Sequence, residues 1–275
     1  AKVYSPHYQS WIWAVFLKGY AISGHAPLLA AAKSALSKMM EHYPAYWQAT
    51  SNGITMQRAR MLLPLAWLCR VEDTDVHRGW LAQVASGLLA RQNASTGAIQ
   101  EEISAAGWGS SARVPSNADY GTFEAPLNQD NTDPVSDLLY TSNFAFVGLH
   151  EAASLPRPDA AHVDAADKLA GLLVRAQVTS EAHPEFDGAW YRAFDFDKWE
   201  YWASDSDVGW GAWSIETGWT QAWISVTMAM RAENTSLWAV TQGSAPGATA
   251  SALKEEIVGR ARVFEFVTKD RRKQK

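Results

Sequence analysis

Apolar residues recur along most of this chain at spacings of three and four, while runs that alternate apolar with polar are scarce. That periodicity predicts helices rather than half-buried strands. Leu81, Val84, Ala85, Leu88 and Leu89 fit one buried helix face, and Trp219, Trp223, Val226 and Met230 fall on a second stripe. Asp133-Pro134 reads as a start signal, the carboxylate capping and the proline at the first helical position. In chain order the predicted helices are Ser10 to Ser23, Pro27 to Tyr43, Ile54 to Val71, Val76 to Gln92, Pro134 to Ala153, Asp159 to Val178, Ile215 to Ala232 and Ala250 to Val267. Eight helices make four hairpins, whose starts lie about forty residues apart early on, as in a helical array or toroid. The regularity breaks at two long loops, Asn93 to Asp133 and Thr179 to Ser214. Both are rich in Trp, Tyr and Phe, so they are expected to carry the function rather than to be disordered.

Composition narrows the classes. With 47% hydrophobic and 19% charged residues the 275-residue chain can bury a large core, here expected as a single domain over 1–275. The net charge of -5, with cations clustered only from Lys269 to Lys275, offers no field for a phosphate backbone, so nucleic acid is not an expected partner. No apolar stretch is long enough to span a membrane. Cys69, the single cysteine, sits in the apolar run Met61 to Arg70 and reads as core packing. Ala1-Lys2-Val3-Tyr4 carries neither an initiating Met nor a signal-peptide core, the look of a mature or truncated form.

Of 14 tryptophans, seven lie between Trp190 and Trp223. Flat indole faces stack on the apolar faces of sugar rings, and their N–H groups bond at the edges; on the predicted helical stripe, Trp219 and Trp223 read instead as packing. Carboxylates are interleaved with these rings: Asp187, Asp195, Asp197, Asp205, Asp207 and Glu216, with Arg192 among them. Glycosidic cleavage needs one protonated and one ionised carboxyl, and apolar surroundings supply the difference. Glu216, in Trp213-Ser-Ile-Glu-Thr-Gly-Trp219, is the first candidate. Glu124, between Tyr120-Gly-Thr-Phe123 and Pro126, is the second, with Glu101 or Glu102 in reserve. Trp190, Arg192, Trp210, Trp213, Asn117, Asp119, Tyr120 and Asn128 are the candidate sugar-binding residues.

Sharper motifs fail. His150-Glu151-Ala-Ala-Ser154 has serine where a zincin helix has its second histidine, so no metal site is expected. Calcium comes into view only at Asp205-Ser-Asp207 with Glu216, where Trp210 stands in place of the EF-hand glycine, and no other cofactor is implied. Neither a nucleophile elbow nor a phosphate-cradling loop occurs.

The segments Arg60-Met-Leu-Leu63, Ala66-Trp67-Leu68, His77-Arg78-Gly-Trp-Leu81, Leu88-Leu89-Ala-Arg-Gln92 and Gly97-Ala-Ile-Gln100 resemble the six-hairpin glycosidases, the (α/α) toroid superfamily that includes unsaturated glucuronyl hydrolases. The resemblance spans roughly Ile54 to Ala232. It implies an all-α fold, a glycoside hydrolase acting on a poly- or oligosaccharide, a bacterial periplasmic or secreted setting, and a cleft uniting Glu101, Glu124, Trp190, Trp210 and Glu216. Four hairpins fall short of six, which implies an incomplete toroid or a part of a larger protein with an upstream domain. Two alternatives stand beside the hydrolase. One is a polysaccharide lyase using Tyr120 or Tyr191 as base, with Arg192 or Asn117 neutralising a uronate; the other is a carbohydrate-binding domain without catalysis.

Overall fold

The computed structural model describes residues 6–7, 9–47, 53–102, 132–202, 215 and 221–242. The chain divides into two compact units, Ala1–Leu237 and Trp238–Lys275. In the second, the described residues amount to the end of a short helix and the turn after it. The first is mostly helical, as the periodicity predicts.

Its helices are α1 (Gln9–Ser23), α2 (Ala26–Glu41), α3 (Gly53–Val71), α4 (Asp75–Leu89), α5 (Asn143–Ala153), α6 (Ala160–Arg175) and α7 (Ala222–Ala232). They pack in two rows. α1, α3, α5 and α7 neighbour one another in that order, and α2, α4 and α6 each pack on the helix that precedes them. Local chemistry explains the breaks: Gly24 takes a left-handed φ of 69° between α1 and α2, where a side chain would be strained, and Pro27 opens α2. The Thr74 hydroxyl caps α4 by accepting from His77 N, and the Asp159 carboxylate caps α6 by accepting from Ala161 N.

Burial separates the rows. Every residue of α3 from Gly53 to Cys69 except Arg58 is buried, as is α5 from Asn143 to Ala152. A helix apolar all round belongs in a core, and each buried Leu there contributes about 1.5–3 kcal/mol. α3 and α5 approach so closely at Gly148 that an added Cβ would lie 2.4 Å from the Leu62 Cβ. α4 shows the expected face, with Leu81, Val84, Ala85 and Leu88 buried. On α7 the stripe is displaced from the predicted one: Ile224, Thr227 and Met230 are buried while Val226 is 41% exposed. Cys69 is buried within α3, and burial raises its thiol to about 11, so it stays a thiol.

The predicted helix from Pro134 to Ala153 requires a correction. Val135–Asp137 is a strand, β1, antiparallel to β2 (Ala193–Asp195), which pairs in turn with β3 (Glu200–Tyr201). A π-helical turn, Leu138–Ser142, follows β1 and runs into α5. The cap is Asp137 rather than Asp133: its Oδ1 accepts from Leu139 N and Tyr140 N, both at 2.9 Å. β2 and β3 lie inside the segment predicted to be the second long loop. The predicted helix starting at Ile215 is described from Ala222 onward, Ile215 itself being outside it; the one at Ala250 to Val267 lies outside the described residues.

Candidate functional site

Four segments converge beside the π turn. The chain leaving α4 forms a bridge between Gln92 and Ile99, and Gly97 makes it tight: φ is 84°, and a Cβ would sit 2.1 Å from the Lys168 carbonyl oxygen. Past that bridge, Glu101 N donates to Val135 O at 2.8 Å and Glu102 N to Thr55 Oγ1 at 3.0 Å, which lays Glu101 between β1 and the start of α3. The turn supplies Thr141, whose hydroxyl donates to Glu101 Oε2. β2 is preceded by Arg192, whose carbonyl accepts from Leu138 N at 2.6 Å and whose guanidinium lies 3.5 Å from Asp137 Oδ2.

Glu101, Asp137, Thr141 and Arg192 are all at least 96% buried, which makes their charges matter. Burial, first, and the negative charge of Asp137, second, push the Glu101 carboxyl up to about 8; the Thr141 hydrogen bond, the backbone N–H of Glu102 and Arg192 oppose that rise without cancelling it. Glu101 therefore keeps its proton at neutral pH. Asp137 is held by two backbone N–H groups and faces a guanidinium. Two carboxyls in unlike surroundings, one retaining a proton and one facing a cation, are the elements of acid/base work.

A cationic and aromatic wall adjoins them. The Arg192 guanidinium stands 5.0 Å from the Tyr140 ring centroid and that of Arg60, on α3, 5.8 Å from the same ring and 4.5 Å from that of Phe144. Arg60 also meets His7 Nδ1 at 3.0 Å. Because a guanidinium only donates, that nitrogen accepts and the imidazole carries its proton on Nε2. Burial and then Arg60 lower His7 to about 4, so the ring is neutral at physiological pH.

The chain matches no family model, no curated protein and no solved structure. Among the expected residues the structure brings Glu101 and Arg192 together. Trp190 stands apart in character: it is 5% exposed, its indole N–H donates to Leu173 O at 2.7 Å, and its backbone N–H and carbonyl are both engaged by the Gln221 amide. Its ring faces are consumed by packing and offer little to a sugar. Of the other clustered rings, Trp199 is 39% exposed with the Arg175 guanidinium 4.7 Å from its centroid, Trp202 packs on Val135 and Ala193, and Trp223 meets Trp11 at 4.4 Å. Glu216, Glu124, Trp210, Trp213, Asn117, Asp119, Tyr120 and Asn128 lie outside the described residues, as do Asp205 and Asp207, considered with Glu216 for calcium.

Sequence reasoning passed over Asp137, Thr141 and Tyr140. They fall at ordinary positions of the predicted Pro134 to Ala153 helix, although an aspartate with Val135 before it and Leu138 and Leu139 after it is a signal, since a carboxylate buried there needs a partner. Among the described residues no group of three or more His, Cys, Asp and Glu could hold a metal ion, and no helix is long and apolar enough to cross a membrane.

Proposed function

We propose that this protein is a glycoside hydrolase of the (α/α) toroid type, with Glu101 as proton donor and Asp137 as the second catalytic carboxyl. The observation that carries the reading is the buried pair itself, Glu101 pushed up to about 8 beside an Asp137 that faces Arg192. In the proposed reaction the Glu101 proton passes to the glycosidic oxygen as its bond to the anomeric carbon breaks. Asp137 either attacks that carbon or takes a proton from the attacking water, according to the carboxyl separation around the bound sugar. Two packed rows, α1, α3, α5 and α7 backed by α2, α4 and α6, support the toroid part of the proposal. Glu216 and Glu124 remain proposed catalytic residues, a polysaccharide the proposed substrate, and the bacterial periplasm or exterior the proposed setting.

The test is incubation of the purified chain and its Glu101→Gln and Asp137→Asn variants with neutral and uronate-containing polysaccharides, reading reducing ends and ultraviolet absorbance together. The hydrolase reading expects reducing ends without absorbance, and a loss of at least about a hundredfold in either variant. Absorbance rising with the reducing ends would replace it with the lyase. Saturable glycan binding with no turnover would replace it with a binding domain.

A further inference from the structure

The π turn is an uncommon piece of backbone, and such turns concentrate where side chains must be re-aimed. Here four of its five residues, Leu139 to Ser142, make hydrogen bonds to side chains. Asp137 Oδ1 holds the N–H groups of Leu139 and Tyr140, which fixes the backbone immediately before Thr141. Behind it, Ser142 Oγ and Ser136 Oγ lie 3.0 Å apart, tying the end of the turn back to β1. Glu101 is anchored to that same strand through Val135 O. Thr141 and Glu101 thus share one rigid frame, and the fully buried Thr141 hydroxyl is aimed at a single carboxyl oxygen, Oε2. In a helix a threonine hydroxyl commonly bonds a carbonyl one turn back; here it donates across to Glu101.

We propose that Thr141 is the positioning residue for Glu101, its hydroxyl occupying Oε2 so that the transferable proton rides on Oε1. A carboxyl oxygen that accepts a hydroxyl donor holds the lone pair, and the proton resides on the other oxygen. That fixes both the atom that gives the proton and the direction in which it leaves. The catalytic consequence rests on the hydrolase reading given above, whereas the position of the proton does not. Among the described residues, the charged groups acting on Glu101 are Asp137 of β1 and Arg192 ahead of β2, while the adjacent Glu102 pairs with Arg58 of α3 at 3.7 Å. Thr141 is the neutral side chain whose hydroxyl bonds Glu101 Oε2, beside the backbone N–H of Glu102.

The experiment uses the full chain with 13C-labelled glutamate carboxyls, the Glu101 signal being identified by its loss in Glu101→Gln. Thr141→Val removes a bond that favours the anion, so the Glu101 titration is expected to move up by about one pH unit or more. Thr141→Ser keeps the hydroxyl and is expected to bring it back to the wild-type position. In turnover, Thr141→Val should lower kcat with little change in KM and shift the basic limb of its pH profile upward, and Thr141→Ser should restore both. Where Val does not fold, Thr141→Ala serves for the same comparison. An unmoved titration in Thr141→Val or Thr141→Ala overturns the proposal, as does a serine variant that behaves like them. If Glu101→Gln keeps full turnover, the assignment of Glu101 as proton donor falls instead, and the carboxyl titration still decides the role of Thr141.

Discussion

Glu101→Gln should make the protein more stable in mild alkali than the wild type. The folded chain holds the Glu101 proton up to about 8, against an ordinary carboxyl value of 4.5. Folding therefore favours the protonated form, and the stability it contributes is fully present below about 4.5 and lost as pH rises through about 8. One extra proton bound by the native state gives a slope of about 1.4 kcal/mol for each pH unit across that window. Carried over the whole interval, the loss is at most about 5 kcal/mol, a large share of the stability of an ordinary domain. Glutamine keeps the shape, still accepts from Thr141 and carries no charge at any pH, so the slope disappears. Urea unfolding of both proteins at pH 5, 7 and 9 measures this by difference, which cancels the histidines and other carboxylates. The gap should widen in favour of Glu101→Gln by several kcal/mol between pH 5 and 9. Parallel stability curves would refute the reasoning and return Glu101 to an ordinary ionised carboxylate.

Gly148→Ala should cost about 1–3 kcal/mol, because its Cβ would meet the Leu62 Cβ at 2.4 Å between two helices that have no room to part; thermal unfolding reads it. Gly97→Ala meets both a left-handed φ and the Lys168 carbonyl at 2.1 Å, so it should unfold the chain at lower temperature and, by shifting the segment leading to Glu101, also depress turnover. Glu151→Ala deletes the buried acceptor for Trp67 Nε1–H at 2.7 Å and Leu237 N–H at 2.6 Å and should cost about 2–5 kcal/mol, with faster hydrogen exchange at Leu237. His7, lowered to about 4, should remain neutral in a proton NMR titration down to about pH 5, and the stability it lends above 6.5 is lost as pH falls through 4.

Most of the helices could be read from the chain because their causes are local. Thr74 and Asp159 cap α4 and α6, Gly24 separates α1 from α2, and the apolar spacing of Leu81 to Leu88 faces one way. The start of α5 could not be read in this way. Asp133-Pro134 looks like a helix opening, but Val135 to Asp137 stay extended because they pair with Ala193 to Asp195, a partner far along the chain that no local pattern reveals. The same distance hid the site. Glu101 could be picked out by its acidic character beside apolar neighbours, and Arg192 by its place among the tryptophans. Their meeting through Asp137 depends on β1 and β2 lying side by side. Density of tryptophan in sequence likewise does not distinguish a ring that is buried, as Trp190 is, from one that is partly exposed, as Trp199 is.

The pH dependence of kcat/KM on an uncharged oligosaccharide reports the essential acid and base of the free enzyme, and so reads the Glu101–Asp137 pair itself. A Glu101 that must be protonated predicts a basic limb near pH 8 that moves downward in Asp137→Asn, where the neighbouring negative charge is gone. A basic limb at ordinary carboxyl values, or one that Asp137→Asn leaves in place, would contradict the pairing of Glu101 with Asp137 on which the account stands.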